Sequence, residues 1–188
     1  MNRMFAAIWL LAISGSTLAA DVGGVKVDDK ATVAGQDLVL NGAGMRTRLV
    51  FNVYVAALYL PQKSTTVQGV VGVNQTRRMA LTLQRDVAAD QLLESMRAGL
   101  AENNPQTILD TVKPQVEQFA TIFKSVGEAK SGQVIEIDYT PANGTRISID
   151  RAVRGTIAGE VFSKALFNVW LGDRPVQESL KKALLGIG

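Results

Sequence analysis

The 188-residue chain contains neither cysteine nor histidine. Together these gaps exclude a disulfide framework, a thiolate or Ser-His nucleophile, a histidine general base, and a zinc site built from the usual Cys and His ligands. Any catalysis would rest on Arg, Lys, Tyr, Asp, Glu or groups of the substrate, and neither cofactor nor metal is expected. A basic stripe is also missing. Lys and Arg number 20 against 17 Asp and Glu, and the pI is near 9.3, but the charges are interspersed, so no nucleic-acid partner is expected. Arg77-Arg78 and Lys181-Lys182 read as solvated surface pairs. Beyond the N-terminal segment no stretch approaches the ~18 apolar residues of a membrane span.

That segment has the plan of a secretory signal. Arg3 supplies the positive n-region, Phe5 to Ile13 is apolar and too short to cross a bilayer, and Thr17, Ala19 and Ala20 precede Asp21 as a signal peptidase site would require. The expectation is a signal peptide over residues 1–20, cut after Ala19 or Ala20, and one domain over residues 21–188, exported to a bacterial periplasm and not membrane-spanning after cleavage. Removing the signal takes away Arg3 and no acid. About 168 residues remain, which suits one core without staples.

Val22 to Val27 and Asp37 to Leu40 are strand-like, and the apolar segment Leu38 to Leu60 carries the strand formers Val50, Phe51, Val53, Tyr54, Val55 and Tyr59 before Pro61 closes it. Met79, Leu81 and Leu83 alternate with Arg78, Ala80 and Thr82, the period of a half-buried strand. Leu92, Leu93, Met96 and Leu100 make one helical stripe, ended by Asn103-Asn104-Pro105. Thr107 to Val126 continues in helical period, with Pro114 expected to kink it or start a second helix, and Gly127 as a C-cap. Val134 to Tyr139 and Thr145 to Ile149 flank the hairpin signal Asn143-Gly144, and Val153 to Ile157 adds a third strand. Alternation turns Ile135, Ile137 and Tyr139 inward and leaves Glu136 and Asp138 on a solvated strand face. Gly159 to Leu171 and Val176 to Leu185 close the chain as helices. Strands and helices in irregular order predict an α+β domain with helices on a mostly antiparallel sheet.

The informative segment is Asn41-Gly42-Ala43-Gly44-Met45-Arg46-Thr47-Arg48. Two glycines permit close backbone approach or a bulge and deliver Arg46 into apolar surroundings. Arg46 and Arg48 either face water or grip an anion, and a guanidinium suits a carboxylate, phenolate or enolate.

Asn41 to Arg46, Ala56-Ala57-Leu58-Tyr59-Leu60, Ala101-Glu102-Asn103, and Phe162 to Gly172 with Pro175 and Lys181 together resemble, in this order, the chalcone isomerase-like family over nearly the whole chain after the signal. The resemblance implies an open-faced β-sandwich, a large sheet covered by a layer of helices with a ligand cleft between. In plant members that cyclise chalcones, an arginine steadies the substrate phenolate, with a threonine, a tyrosine, an asparagine and a Thr or Ser nearby. Arg46 matches the arginine and Asn103 the asparagine. Tyr54 stands at the threonine, Met96 at the tyrosine, whose hydroxyl is thereby lost, and Asn168 at the Thr or Ser. In the family's fatty-acid-binding branch an Arg and a Tyr grip the carboxylate, a pair reproduced by Arg46 and Tyr54.

The implied partner is therefore a small apolar or amphipathic ligand, such as a fatty acid, bound by Arg46, Tyr54, Met96, Asn103, Asn168 and Val169. One alternative is a cofactor-free intramolecular lyase or isomerase with Arg46 stabilising an oxyanion and Asn103 orienting it. Another is a structural or accessory envelope protein without a ligand. Tyr54 as a plain strand aromatic, Asn103 as a helix cap and Asn168 as a surface residue remain open beside these roles. Eight residues of extended strand span roughly 27 Å, so Arg46 and Tyr54 can meet only if the chain reverses near Leu49 to Asn52.

Overall fold

In the computed structural model, which describes residues 19–187, the chain enters as a hairpin of β1 (Ala19–Val22) and β2 (Val25–Asp28). Gly23 and Gly24 both take positive φ, so the run expected as one strand from Val22 to Val27 turns back on itself. The proposed signal segment lies outside the described residues except for Ala19 and Ala20, which pair with Asp28 and Val27. β3 (Lys30–Val33), β4 (Gln36–Arg48) and β5 (Phe51–Leu60) follow, and the apolar segment Leu38 to Leu60 reverses at Leu49 and Val50. A π-helical turn (Gln68–Gly72) leads to β6 (Arg77–Leu83) and the short β7 (Val87–Ala88).

Next come α1 (Ala89–Asn103) and α2 (Gln106–Lys124), then β8 (Glu128–Ala129), β9 (Val134–Thr140), β10 (Gly144–Ile149) and β11 (Ala152–Ile157). α3 (Glu160–Leu171) and α4 (Glu178–Leu184) complete the fold. Pro114 neither ends α2 nor splits it. It lies on the exposed side, as does Asp110, whose carbonyl it leaves unbonded within reach of water.

Seven strands form one antiparallel sheet in the order β11-β10-β9-β6-β5-β4-β3. Helices cover one face, where Ala56, Leu58, Met79, Leu81, Ile135, Ile137 and Ile147 meet Leu93, Met96, Phe119, Phe162, Leu166 and Trp170. This is the α+β open-faced sandwich. On the other face Val27, with Val22 and Val25 of the first hairpin, packs against Val33, Leu38, Val55, Ala57 and Tyr59. From Val53 to Leu60 strand β5 is thus packed on both sides, which is why that stretch is apolar throughout instead of alternating.

Two readings of charged residues are corrected here. Arg77 and Arg78 are not a solvated pair: consecutive strand residues point to opposite faces of β6, and there Arg77 is buried and Arg78 only 14% exposed. Arg77 is 0% exposed on the helix side. It donates to the Val70 carbonyl (3.1 Å), the Val73 carbonyl (3.3 Å) and Ser163 Oγ (2.9 Å), and its guanidinium lies 4.5 Å from the Tyr139 ring centroid. Burial lowers its pKa to about 10, so it stays charged at neutral pH.

Arg78, on the opposite face, grips Asp138 with two bonds of 2.5 and 2.7 Å and reaches Glu136 at 2.8 Å, while Arg146 adds a bond of 2.8 Å to Asp138. Burial opposes the charge on Arg78, but the bonds and charge of Asp138 prevail and raise its pKa. Asp138, expected on a solvated face, is 1% exposed: strand pairing sets it directly between Arg78 and Arg146, whose side chains close over it. The Lys181 ammonium of the other expected surface pair is bonded to the Gly172 carbonyl at 2.8 Å.

Removing Asp138 leaves the mostly buried Arg78 without its bidentate partner. Asp138→Ala is expected to cost ~3 kcal/mol in urea-induced unfolding, against under ~1 kcal/mol for removal of the exposed carboxylate in Glu117→Ala.

Candidate ligand-binding cleft

The site is assembled by β4, β5, α1, α3 and α4. Asn41 is the extra residue of a bulge between Leu40 and Gly42, and its amide bonds the carbonyls of Ser64 (2.9 Å) and Leu184 (2.7 Å) while accepting the Ser64 N–H (2.7 Å). Gly42 and Gly44 then lie under α4. A Cβ on Gly42 would stand 2.0 Å from the Ala183 carbonyl oxygen, and one on Gly44 would stand 2.7 Å from Ala183 Cβ. The glycines therefore serve close backbone approach, as their spacing suggested.

Gln177, just before α4, is brought beside the end of β4. Its Oε1 accepts the Thr47 N–H at 2.9 Å and Arg46 Nη1 at 3.1 Å, and its Nε2 donates to the Met45 carbonyl at 3.2 Å. Arg46 Nη1 also donates to the Thr47 carbonyl. A second bulge leaves Val53 without an opposite number, so Arg46 stands directly across from Tyr54. The reversal at Leu49 and Val50 thus resolves the distance between them: they are cross-strand neighbours on one face.

Tyr54 points into the helix-side core and accepts the Trp170 indole N–H at 3.0 Å. Burial raises the phenol above its ordinary pKa, against the opposing pull of Trp170 and of the nearby Arg46 guanidinium. It is neutral at physiological pH. With its oxygen already accepting from Trp170, its own O–H proton has no acceptor among the described residues and is available to an incoming anion.

Around this group lies an apolar cavity of about 60 Å³ lined by Leu81, Met96, Phe119, Ile135, Val169 and Trp170. It adjoins an outer cavity of about 200 Å³ whose lining includes Arg46, Arg48, Arg85 and Phe51. Tyr54, Leu92, Ser95 and Val176 belong to both. The result is a narrow apolar interior, a phenol and a guanidinium at its entrance, and a mouth with three arginines and no carboxylate. Such an arrangement suits an amphipathic anion.

Of the six residues expected at a site, Arg46, Tyr54, Met96 and Val169 line these cavities. Asn103 and Asn168 line neither. Asn103 bonds the Gly99 carbonyl (2.9 Å) and both backbone groups of Arg174 (2.7 and 2.8 Å), clipping the end of α1 to the loop before α4. Asn168 donates to Asn104 Oδ1 at 3.1 Å. Both amides are thus engaged within the protein.

Trp170, expected only as core, is the partner that orients Tyr54, and Gln177 orients Arg46. Neither carried a sequence signal, since each depends on a neighbour more than 100 residues away. Among the described residues no three acidic side chains converge to hold a metal ion.

The sequence matches the chalcone isomerase-like family over residues 19–186. Among solved structures it is similar to the crystal structure of an Arabidopsis thaliana fatty-acid binding protein, with a TM-score of 0.66 at 12% identity, covering 86% of this chain and 92% of that one. At that identity the likeness is one of fold. No curated protein matches.

Two measurements check this construction. In a double-mutant cycle of Tyr54→Phe and Trp170→Phe, urea unfolding is expected to give a coupling of ~1 kcal/mol; additive effects would mean the hydrogen bond is absent in solution. Gly42→Ala drives a Cβ into the α4 backbone and is expected to destabilise by ~2 kcal/mol, with α4 amides exchanging faster than in wild type.

Proposed function

The chain belongs to the chalcone isomerase-like family, and on that footing we propose that it binds a fatty acid or a similar amphipathic carboxylate. The carboxylate is held at the cleft entrance by Arg46 and the Tyr54 hydroxyl, and the hydrocarbon chain lies inward along Met96, Phe119, Ile135 and Val169. The observation that carries this reading is the position of Arg46 and Tyr54 at the junction of an apolar interior with an acid-free, basic mouth. The fatty-acid binding protein of like fold supports it by analogy. The interior is narrow, so a long chain must displace side chains. Met96, with three rotatable bonds and no branching, is the residue suited to yield.

The isomerase alternative is less well supported. With Asn103 engaged at the end of α1, Arg46 and Tyr54 remain to steady an oxyanion, and the apolar lining offers no base to move a proton. An exported, periplasmic setting, proposed from the N-terminal segment, places the ligand in or beyond the cell envelope.

Titration of delipidated protein with fatty acids of graded length, followed by calorimetry and by thermal shift, tests the proposal. Arg46→Ala is expected to weaken binding roughly 10- to 100-fold, the worth of one charge-assisted hydrogen bond, while Asn103→Ala leaves affinity unchanged. A fatty alcohol of equal length should bind as poorly to wild type as the acid binds to Arg46→Ala. If fatty acids neither bind nor raise the melting temperature, the proposal fails.

The pH profile has a definite sign. Tyr54 titrates above its ordinary value near 10 and no histidine is present, so affinity is expected to stay level from pH 6 to 9 and fall only as the ligand carboxylate protonates, at about pH 4–5.

A further inference from the structure

The tip of the β4–β5 hairpin breaks two local rules at once. Its two-residue loop is Leu49-Val50, closed by the pair Arg48 and Phe51. Leu49 takes φ 55°, a left-handed conformation that Gly, Asn or Asp adopt with less strain at the first loop position of a hairpin. Leu49, Val50 and Phe51 are moreover 92%, 87% and 55% exposed, three consecutive apolar residues presented to water. Apart from Arg85 beside the Phe51 ring, no described residue covers the tip.

The setting says what covers this tip. Arg48 flanks it, the Arg85 guanidinium sits 5.0 Å from the Phe51 ring centroid, and Arg46 lies two residues before Arg48 on β4. None of the three arginines makes an ion pair with a described residue. Asp86, the acid nearest to Arg85 in sequence, is taken up by Lys130 and the Ser131 N–H. An apolar point collared by unpaired arginines is complementary to an anionic lipid surface, whose headgroups meet the guanidinia while the side chains of Leu49 and Val50 enter the acyl boundary.

We propose that the Leu49-Val50 hairpin tip docks the protein on an anionic bilayer, with the mouth of the cleft facing the lipid. The tip and the cleft share Arg48, Leu49 and Phe51, so a carboxylate lipid could pass between membrane and interior without crossing bulk water. The docking rests on the exposed tip and its charge. The passage rests also on the fatty-acid reading above.

Flotation of ligand-free protein with vesicles of phosphatidylethanolamine and phosphatidylglycerol, against vesicles of phosphatidylcholine alone, provides the test. Wild type should float with the anionic vesicles, weaken steeply with added salt, and remain unbound to the neutral ones. Val50→Asp, which lines neither cavity, should lower the bound fraction at least about tenfold with an unchanged melting temperature, while Val50→Trp raises it. Equal flotation of wild type and Val50→Asp, or no flotation of wild type at low ionic strength, overturns the proposal.

Fatty-acid titration of Val50→Asp in solution separates the two readings. Wild-type affinity there with lost flotation supports docking as a distinct function. Absence of fatty-acid binding by wild type, with its flotation intact, removes the cleft reading and leaves the docking in place.

Discussion

The contact of α4 with the glycine backbone of β4 is the constraint from which the cleft follows. Because no side chain intervenes between Gly42 or Gly44 and Ala183, the helix has one position along the strand, and the Asn41 amide pins its C-terminal end through the Leu184 carbonyl. That position brings Gln177 beside Thr47, and Gln177 in turn fixes Arg46. Tyr54 is aimed by the neighbouring bulge and by Trp170 on α3. Two polar side chains on adjacent strands are thus each steadied by a helix from the last thirty residues of the chain, so the entrance is preorganised before any ligand arrives.

Much of this architecture was legible in the sequence because local chemistry and fold agree. The alternation of β6, the hairpin that Gly144 closes with its positive φ and the helical stripe of α1 all name their structure through period or turn residue, although Asn143 itself does not take positive φ. The reversal after β4 was legible only as a requirement, since Leu49 and Val50 carry no turn chemistry. Pro114 misled for a related reason: the cost of a helix-interior proline falls where its freed carbonyl can meet water, and exposure is a tertiary property. Of the site, the Gly-x-Gly-x-Arg segment was visible because an arginine delivered into apolar sequence demands an explanation, whereas Tyr54 was singled out only by the family resemblance. Gln177 and the role of Trp170 were not, because each acts through a contact that no sequence spacing records.

The charged residues of β6 show the same limit from another side. Arg77 and Arg78 are adjacent in sequence and live in opposite solvents, one surrounded by carbonyls and aromatic faces, the other locked to carboxylates. Their pairing also protects the register of the sheet. A slip of one residue would carry Met79 into the ion cluster and Arg78 into the helix-side core, where no carboxylate waits. The buried charges of β6 therefore oppose the commonest error open to a sheet whose neighbouring strand β5 is apolar on both faces.

The hydrogen bond from Trp170 to Tyr54 has an optical consequence. The chain contains two tryptophans, Trp9 and Trp170, and Trp9 falls within the proposed signal segment. In a chain without its first twenty residues, Trp170 is the sole indole, and it both lines the inner cavity and shares its proton with the phenol at the entrance. Its emission then reports on a single place in the molecule. The protein carries its own fluorophore at the point where a ligand would arrive, so occupancy of the cleft can be followed without a label.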